Sequence, residues 1–159
     1  ESLQRYMGLA LYSLEPLREA FAKPITVLSG ERTVQTNGGK PSSCHLPPSQ
    51  RKDPTKRALI GNYKTSIRPE LSKLHSAAAD IRVSGSDPIE VYHVIYEAMR
   101  LKLLPPGGVF YYKTQQFVHI DNRGFISRDV SLMPTDLELR ALNTQRIQEI
   151  LERIKNHVS

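Results

Sequence analysis

Residues 117–124 read Phe-Val-His-Ile-Asp-Asn-Arg-Gly. Val118 and Ile120 alternate with His119 and Asp121, the two-residue period of a strand with one apolar and one polar face. Residues i and i+2 of a strand share a face. His119 and Asp121 are therefore expected to point together into a cleft, while Val118 and Ile120 point into a core. Just upstream, residues 109–112 read Val-Phe-Tyr-Tyr, and residues 113–116 between the two runs suit a hairpin turn.

Two further runs read as strands: residues 25–28, Ile-Thr-Val-Leu, and residues 78–83, Ala-Ala-Asp-Ile-Arg-Val. Asp87-Pro88-Ile89-Glu90 is a helix start, with Asp as N-cap, Pro at the first position and Glu three beyond the cap. That helix is expected to run to about Leu104, carrying Val91, Ile95 and Met99 on one side, until Pro105-Pro106-Gly107-Gly108 stops it. Residues 2–22 offer Leu3, Leu9, Leu14, Leu17 and Phe21 to one helical face, with Pro16 as an interruption. Residues 135–157 form a last amphipathic helix with Ile147, Ile150, Leu151 and Ile154 in one stripe. The order α, β, long loop, β, α, β, β, α predicts an α+β fold with a small antiparallel sheet flanked by helices.

At 159 residues and 39% hydrophobic content, the chain is long enough for one real core. No apolar run approaches the roughly 18–20 residues that span a bilayer, and no signal-peptide pattern is visible. Cys44 is the single cysteine, which excludes an internal disulfide and every Cys-rich zinc site. Any metal must therefore be held by His and carboxylate. The formal charge is +6, compatible with an anionic cell envelope or with nucleic acid. Residues 47–74 carry Arg51, Lys52, Lys56, Arg57, Lys64, Arg68 and Lys73 against Asp53 and Glu70, a net +5. This Pro-rich, polar stretch reads as a loop or flap. Tyr63 is its only stacking residue and it holds no recognition motif, so nucleic-acid binding is the weakest reading.

Four segments bear chemistry together: Ser29-Gly-Glu-Arg32, Gly38-Gly-Lys-Pro-Ser-Ser-Cys-His45, Ala78-Ala-Asp80, and the strand with His119 and Asp121. They supply His, Asp and His near strand ends. Three N/O ligands with one open position suit a catalytic zinc, which lowers the pKa of water to about 7 for hydrolysis. Arg32 is suited to hold a substrate carboxylate or polarise a carbonyl.

In order and wording these segments resemble the zinc D-Ala-D-Ala carboxypeptidases and related peptidoglycan endopeptidases, whose core fold is shared with hedgehog signalling domains. Ser29, Gly30 and Arg32 match that family's first element, with Glu31 in place of an aromatic residue. Gly38, Gly39, Ser43 and His45 match the second, Ala78 to Ile81 the third, and residues 107–112 and 117–124 the last. The resemblance covers residues 24–128. It implies His45, Asp80 and His119 as zinc ligands and Arg32 as the substrate-holding residue. It makes Asp121 a general base or the partner of a ligand, and sets Tyr112 along the cleft. A peptidase-like domain over residues 1–128 is expected, followed by a helical extension over 129–159.

The family spaces its first His and its Asp closely, whereas 34 residues separate His45 from Asp80 here. The resemblance therefore implies an insertion, residues 47–74, expected as an exposed basic excursion. His75 is the competing first ligand, closer to Asp80 but out of the family's register. Gln116 stands three residues before His119, where many members carry a carboxylate, and an amide cannot act as a base. The implied activity is zinc-dependent hydrolysis of a peptide bond in peptidoglycan, in the cell envelope or as part of a bacteriophage. The other reading is an inactive descendant serving as a structural or wall-binding module, for example in a phage virion.

Overall fold

The computed structural model describes residues 2–30, 45–46 and 76–158. The expected insertion at 47–74, together with Arg32, Cys44 and His75, lies outside the described residues. Helices α1 (Ser2–Leu9) and α2 (Glu15–Phe21) are joined by a π-helical turn, Ala10–Leu14. Pro16 has no N–H to donate and its ring crowds the carbonyl one turn back. One widened turn, in which the Glu15 N–H reaches Ala10 O, carries the helix past it. The interruption expected at Pro16 is thus a change of pitch.

Strand β1 (Ile25–Ser29) follows, then β2 (Ala78–Val83), helix α3 (Pro88–Arg100), and the hairpin β3 (Val109–Tyr112) and β4 (Phe117–Asp121). The sheet is antiparallel throughout, in the order β1-β2-β4-β3. This is the α+β architecture expected from the residue patterns. Asp87 caps α3 by accepting from Ile89 N at 2.9 Å. The helix ends earlier than expected because Lys102 turns left-handed, at φ 62°, and Leu103 N folds back to Ala98 O.

One face of the sheet is apolar. Ala79, Ile81 and Val83 of β2, Val118 and Ile120 of β4, and Val109 and Tyr111 of β3 are all buried in one cluster with Val91, Ile95, Ala98 and Met99 of α3. Helix α4 (Asp136–Arg140) opens on a capping box between Thr135 and Glu138. Helix α5 (Thr144–Val158) restarts where Asn143 accepts from Arg146 N at 3.1 Å. One long helix over 135–157 was expected; the asparagine cap divides it in two. The stripe Ile147, Ile150, Leu151 and Ile154 joins the same cluster as Leu17 and Phe21 of α2. Arg146 grips both oxygens of Glu90 at 3.0 Å, and Arg153 donates to Ala20 O. The C-terminal helix is therefore built into the core of the sheet domain.

Candidate metal centre

The other face of the sheet carries the polar residues. In the β2–β4 ladder Asp80 lies directly opposite His119 and Ala78 opposite Asp121. Cross-strand partners on one face stand side by side, so the register alone puts the Asp80 carboxylate beside the His119 ring. Chain order contributes nothing to this contact, since 38 residues separate the two. His45 arrives from outside the sheet and is anchored by Leu46, which is fully buried.

The three side chains converge. His45 Nε2 lies 3.2 Å from His119 Nδ1 and 3.3 Å from Asp80 Oδ1, and His119 Nδ1 lies 3.2 Å from the same oxygen. All three are buried, at 3–5% exposure. The rings of His45 and His119 meet edge to face, with centroids 5.0 Å apart.

The outer ring nitrogens define which atoms face inward. His45 Nδ1 sits 2.6 Å from Gly30 O. A carbonyl oxygen only accepts, so Nδ1 carries a proton, and Nε2 is the nitrogen that faces inward to offer a lone pair to a metal. His119 Nε2 sits 2.8 Å from Asp121 Oδ2. Opposite an ionised carboxylate it too is the donor, which leaves the Nδ1 lone pair facing inward. When each ring holds only its outer proton, two nitrogen lone pairs and a carboxylate oxygen meet in a nearly equilateral triangle. For a tetrahedral ion with bonds of about 2.0–2.1 Å, neighbouring ligand atoms lie about 3.3 Å apart. The donor set and its edge lengths fit zinc. Among the described residues this is the group of His, Cys, Asp and Glu side chains that could hold a metal ion.

The same crowding sets the proton affinities. In the metal-free protein a proton on the inward nitrogen of either ring is shared with Asp80: burial alone would raise the Asp80 carboxyl, but these bonds from His119 and His45 outweigh it and hold the group well below the usual carboxylate range. Burial would likewise raise Asp121, which His119 and then Arg123 hold low. Burial would lower His119, yet its bonds to Asp121 and Asp80 raise it on balance. The signs predict a pH window for the metal-free protein. A raised histidine contributes stability below its unfolded value of about 6.5 and loses it as pH rises through the folded pKa. The lowered carboxylates contribute above about 3.9 and lose it as pH falls toward their folded values. Chelator-treated protein should therefore melt highest between about pH 4 and 6.5. Zinc must displace the His119 proton, so its apparent affinity should fall with decreasing pH. Thermal melts across pH with and without zinc check both statements.

The remaining expected site residues are placed as follows. Asp121 is fully buried behind His119, on the side away from the triangle. Gln116 occupies the hairpin turn with φ 57°, its amide donating to Lys113 O at 2.6 Å and Tyr111 Oη at 3.2 Å. Tyr112 stacks on Phe117, centroids 4.7 Å apart, at the far end of the hairpin. Three participants were not anticipated from sequence. Phe110, opposite His119 in the ladder, sets its ring 5.0 Å from the imidazole. Gly30 supplies the carbonyl that orients His45. Arg123 binds Asp121. The β alternation of residues 109–112 already put Phe110 and Tyr112 on one face, the only advance sign of the first.

Comparison with known proteins yields one assignment. A family model described as Peptidase M15 matches residues 4–121. No curated protein and no solved structure matches the chain. The matched span reaches from α1 through the strand carrying His119 and Asp121 and takes in all three residues of the triangle. The chain belongs to the peptidase M15 family.

Proposed function

We propose that this protein is a zinc-dependent peptidase that hydrolyses a peptide bond in bacterial peptidoglycan, with His45, Asp80 and His119 as the metal ligands. The observation that carries the reading is the buried triangle of inward-facing lone pairs, made by residues within an M15 match. When bound, zinc would polarise the scissile carbonyl and make water acidic enough to attack near neutral pH. The chain's own residues do the rest. Asp80 and the two histidines would hold the ion on the polar face of the β2–β4 ladder. Gly30 O and Asp121 hold the two imidazoles in the tautomers that point lone pairs inward.

Of the two roles open to Asp121, orienting His119 is the one its surroundings favour. Its oxygens already accept from Gly108 N, Arg123 and His119, and the side chain is fully buried. Arg32 is proposed to hold the substrate carboxylate, on the strength of its match to the family motif. The substrate implies work at the cell envelope or in a phage that attacks it. No helix among the described residues is long and apolar enough to cross a membrane.

The test is turnover. Zinc-loaded protein incubated with purified peptidoglycan of several chemotypes should release new amino termini and shortened muropeptides. Loss of terminal D-alanine alone would mark a carboxypeptidase, and opened cross-links an endopeptidase. The engagement of Gln116 within the hairpin favours a second reading, a wall-binding module without turnover. Retention on peptidoglycan with no product from any chemotype would establish that reading and end the first.

A further inference from the structure

We propose that Arg123 is a positioning residue of the metal centre: by gripping Asp121 it sets the direction and tautomer of His119. The inference rests on the metal-ligand reading above, but its geometry stands independently. Asp121 is completely buried in the protein. Its Oδ1 accepts from Gly108 N at 2.7 Å, Arg123 N at 3.2 Å and Arg123 Nε at 2.9 Å. Its Oδ2 accepts from Arg123 Nη2 at 2.6 Å, Arg123 Nε at 3.1 Å and His119 Nε2 at 2.8 Å. Among the described residues, the hydrogen bonds to the carboxylate other than that of His119 come from Arg123 and from the Gly108 amide.

A guanidinium presents its donors in a rigid plane, so a two-pronged grip fixes where a carboxylate points as well as its charge. Here the grip leaves one lone pair of Oδ2 aimed at His119 Nε2. That contact retains the imidazole proton on Nε2 and turns Nδ1 toward His45 and Asp80. Phe110 closes the arrangement: its ring lies 5.0 Å from the His119 ring, and the Arg123 guanidinium sits 5.6 Å from its centroid. His119 is thus held from behind by Asp121 and along its face by Phe110, both of which Arg123 touches.

Among the described residues, Arg123 reaches the proposed ligands through its bonds to Asp121, so its removal should be felt at the metal centre through His119. Arg123→Met removes charge and fork; Arg123→Lys keeps the charge and loses the fork. Zinc affinity of the protein should fall about 10–100-fold in Arg123→Met, the range for residues that orient a ligand. In Arg123→Lys it should fall by about tenfold. The second readout needs no metal. The imidazole ¹⁵N shifts of His119 in zinc-free protein at alkaline pH should show the Nε2–H tautomer in the parent and a mixture in both variants. Affinity within about twofold of the parent together with an unchanged His119 tautomer in the folded variants overturns the proposal. If Arg123→Met does not fold, Arg123→Lys decides alone by the same two criteria. If the parent protein itself binds no zinc, the peptidase reading fails. The tautomer measurement then decides on Arg123: a shift toward the mixture supports it, and an unchanged pattern overturns it.

Discussion

His119→Ala should lose zinc and hydrolysis together. The substitution deletes one corner of the triangle, leaving His45 and Asp80 as two ligands where a catalytic zinc needs three. Stoichiometric zinc in the parent should become substoichiometric in the variant after dialysis. If the metal contributes several kcal/mol to the transition state, peptidoglycan hydrolysis should fall by about 10³-fold or more. The fold should survive, because His119 lies on the polar face of β4 and the apolar face, Val118 and Ile120, is untouched. Asp121 keeps its partners Arg123 and Gly108 in the variant, so no buried charge is stranded. Elemental analysis, a thermal melt and a product assay on the same preparation separate the outcomes. Retained zinc with lost activity would place the metal elsewhere. Lost zinc with full activity would make the site structural.

Gly107→Ala should damage the fold, and Gly108→Ala the site. The two glycines are adjacent in sequence and both face Asp121, but they meet different parts of it. A Cβ on Gly107 would lie 1.7 Å from the Asp121 carbonyl oxygen and 2.4 Å from its carbonyl carbon. Those atoms belong to the backbone at the end of β4, an inner strand of the sheet, and cannot rotate away. The chain must separate from the strand end, at a cost of about 3 kcal/mol, the upper part of the overpacking range. In a domain of this size that corresponds to about 6–12 °C in Tm. A Cβ on Gly108 would instead lie 2.5 Å from Asp121 Oδ2 and 2.8 Å from Arg123 Nη2. Side chains can shift, so the melting temperature should change less. The shift, however, moves the oxygen that holds His119, and zinc affinity should drop about 10–100-fold. A Gly107→Ala protein that melts within about 2 °C of the parent, well short of the expected loss, would show that the close approach is not real. Equal effects of the two substitutions on zinc would show that Gly108 has no special relation to the site.

These two glycines also show what a sequence conceals. In Pro105-Pro106-Gly107-Gly108 they read as a helix stop, which they follow. Their stronger constraint is contact with a strand 13 residues further on, and local composition carries no trace of it. The elements that were legible are those governed by local rules. The alternation of Val118, His119, Ile120 and Asp121 gave the faces of β4, and Asp87-Pro88-Ile89-Glu90 marked the start of α3. The isoleucine stripe marked α5. Asn143 was readable as a cap in principle, because the stripe from Ile147 to Ile154 lies wholly beyond it. The pairing of Asp80 with His119 is long-range register, which no local pattern encodes. Order and wording of motifs stood in for it, and they also led to His45 across a gap of 34 residues. Arg123 was hidden for a different reason. An arginine two residues beyond an aspartate is common on surfaces, and only the burial of Asp121 makes the pair consequential.

The central claim is that His45, Asp80 and His119 are one zinc site. Anomalous scattering measured on both sides of the zinc absorption edge, from crystals of protein purified without added metal, tests it most directly. A single peak is predicted, bonded to His45 Nε2, His119 Nδ1 and an Asp80 carboxylate oxygen at about 2.0–2.2 Å. A zinc peak coordinated by His75 in place of His45, or no peak at these residues in crystals soaked with zinc, would contradict it.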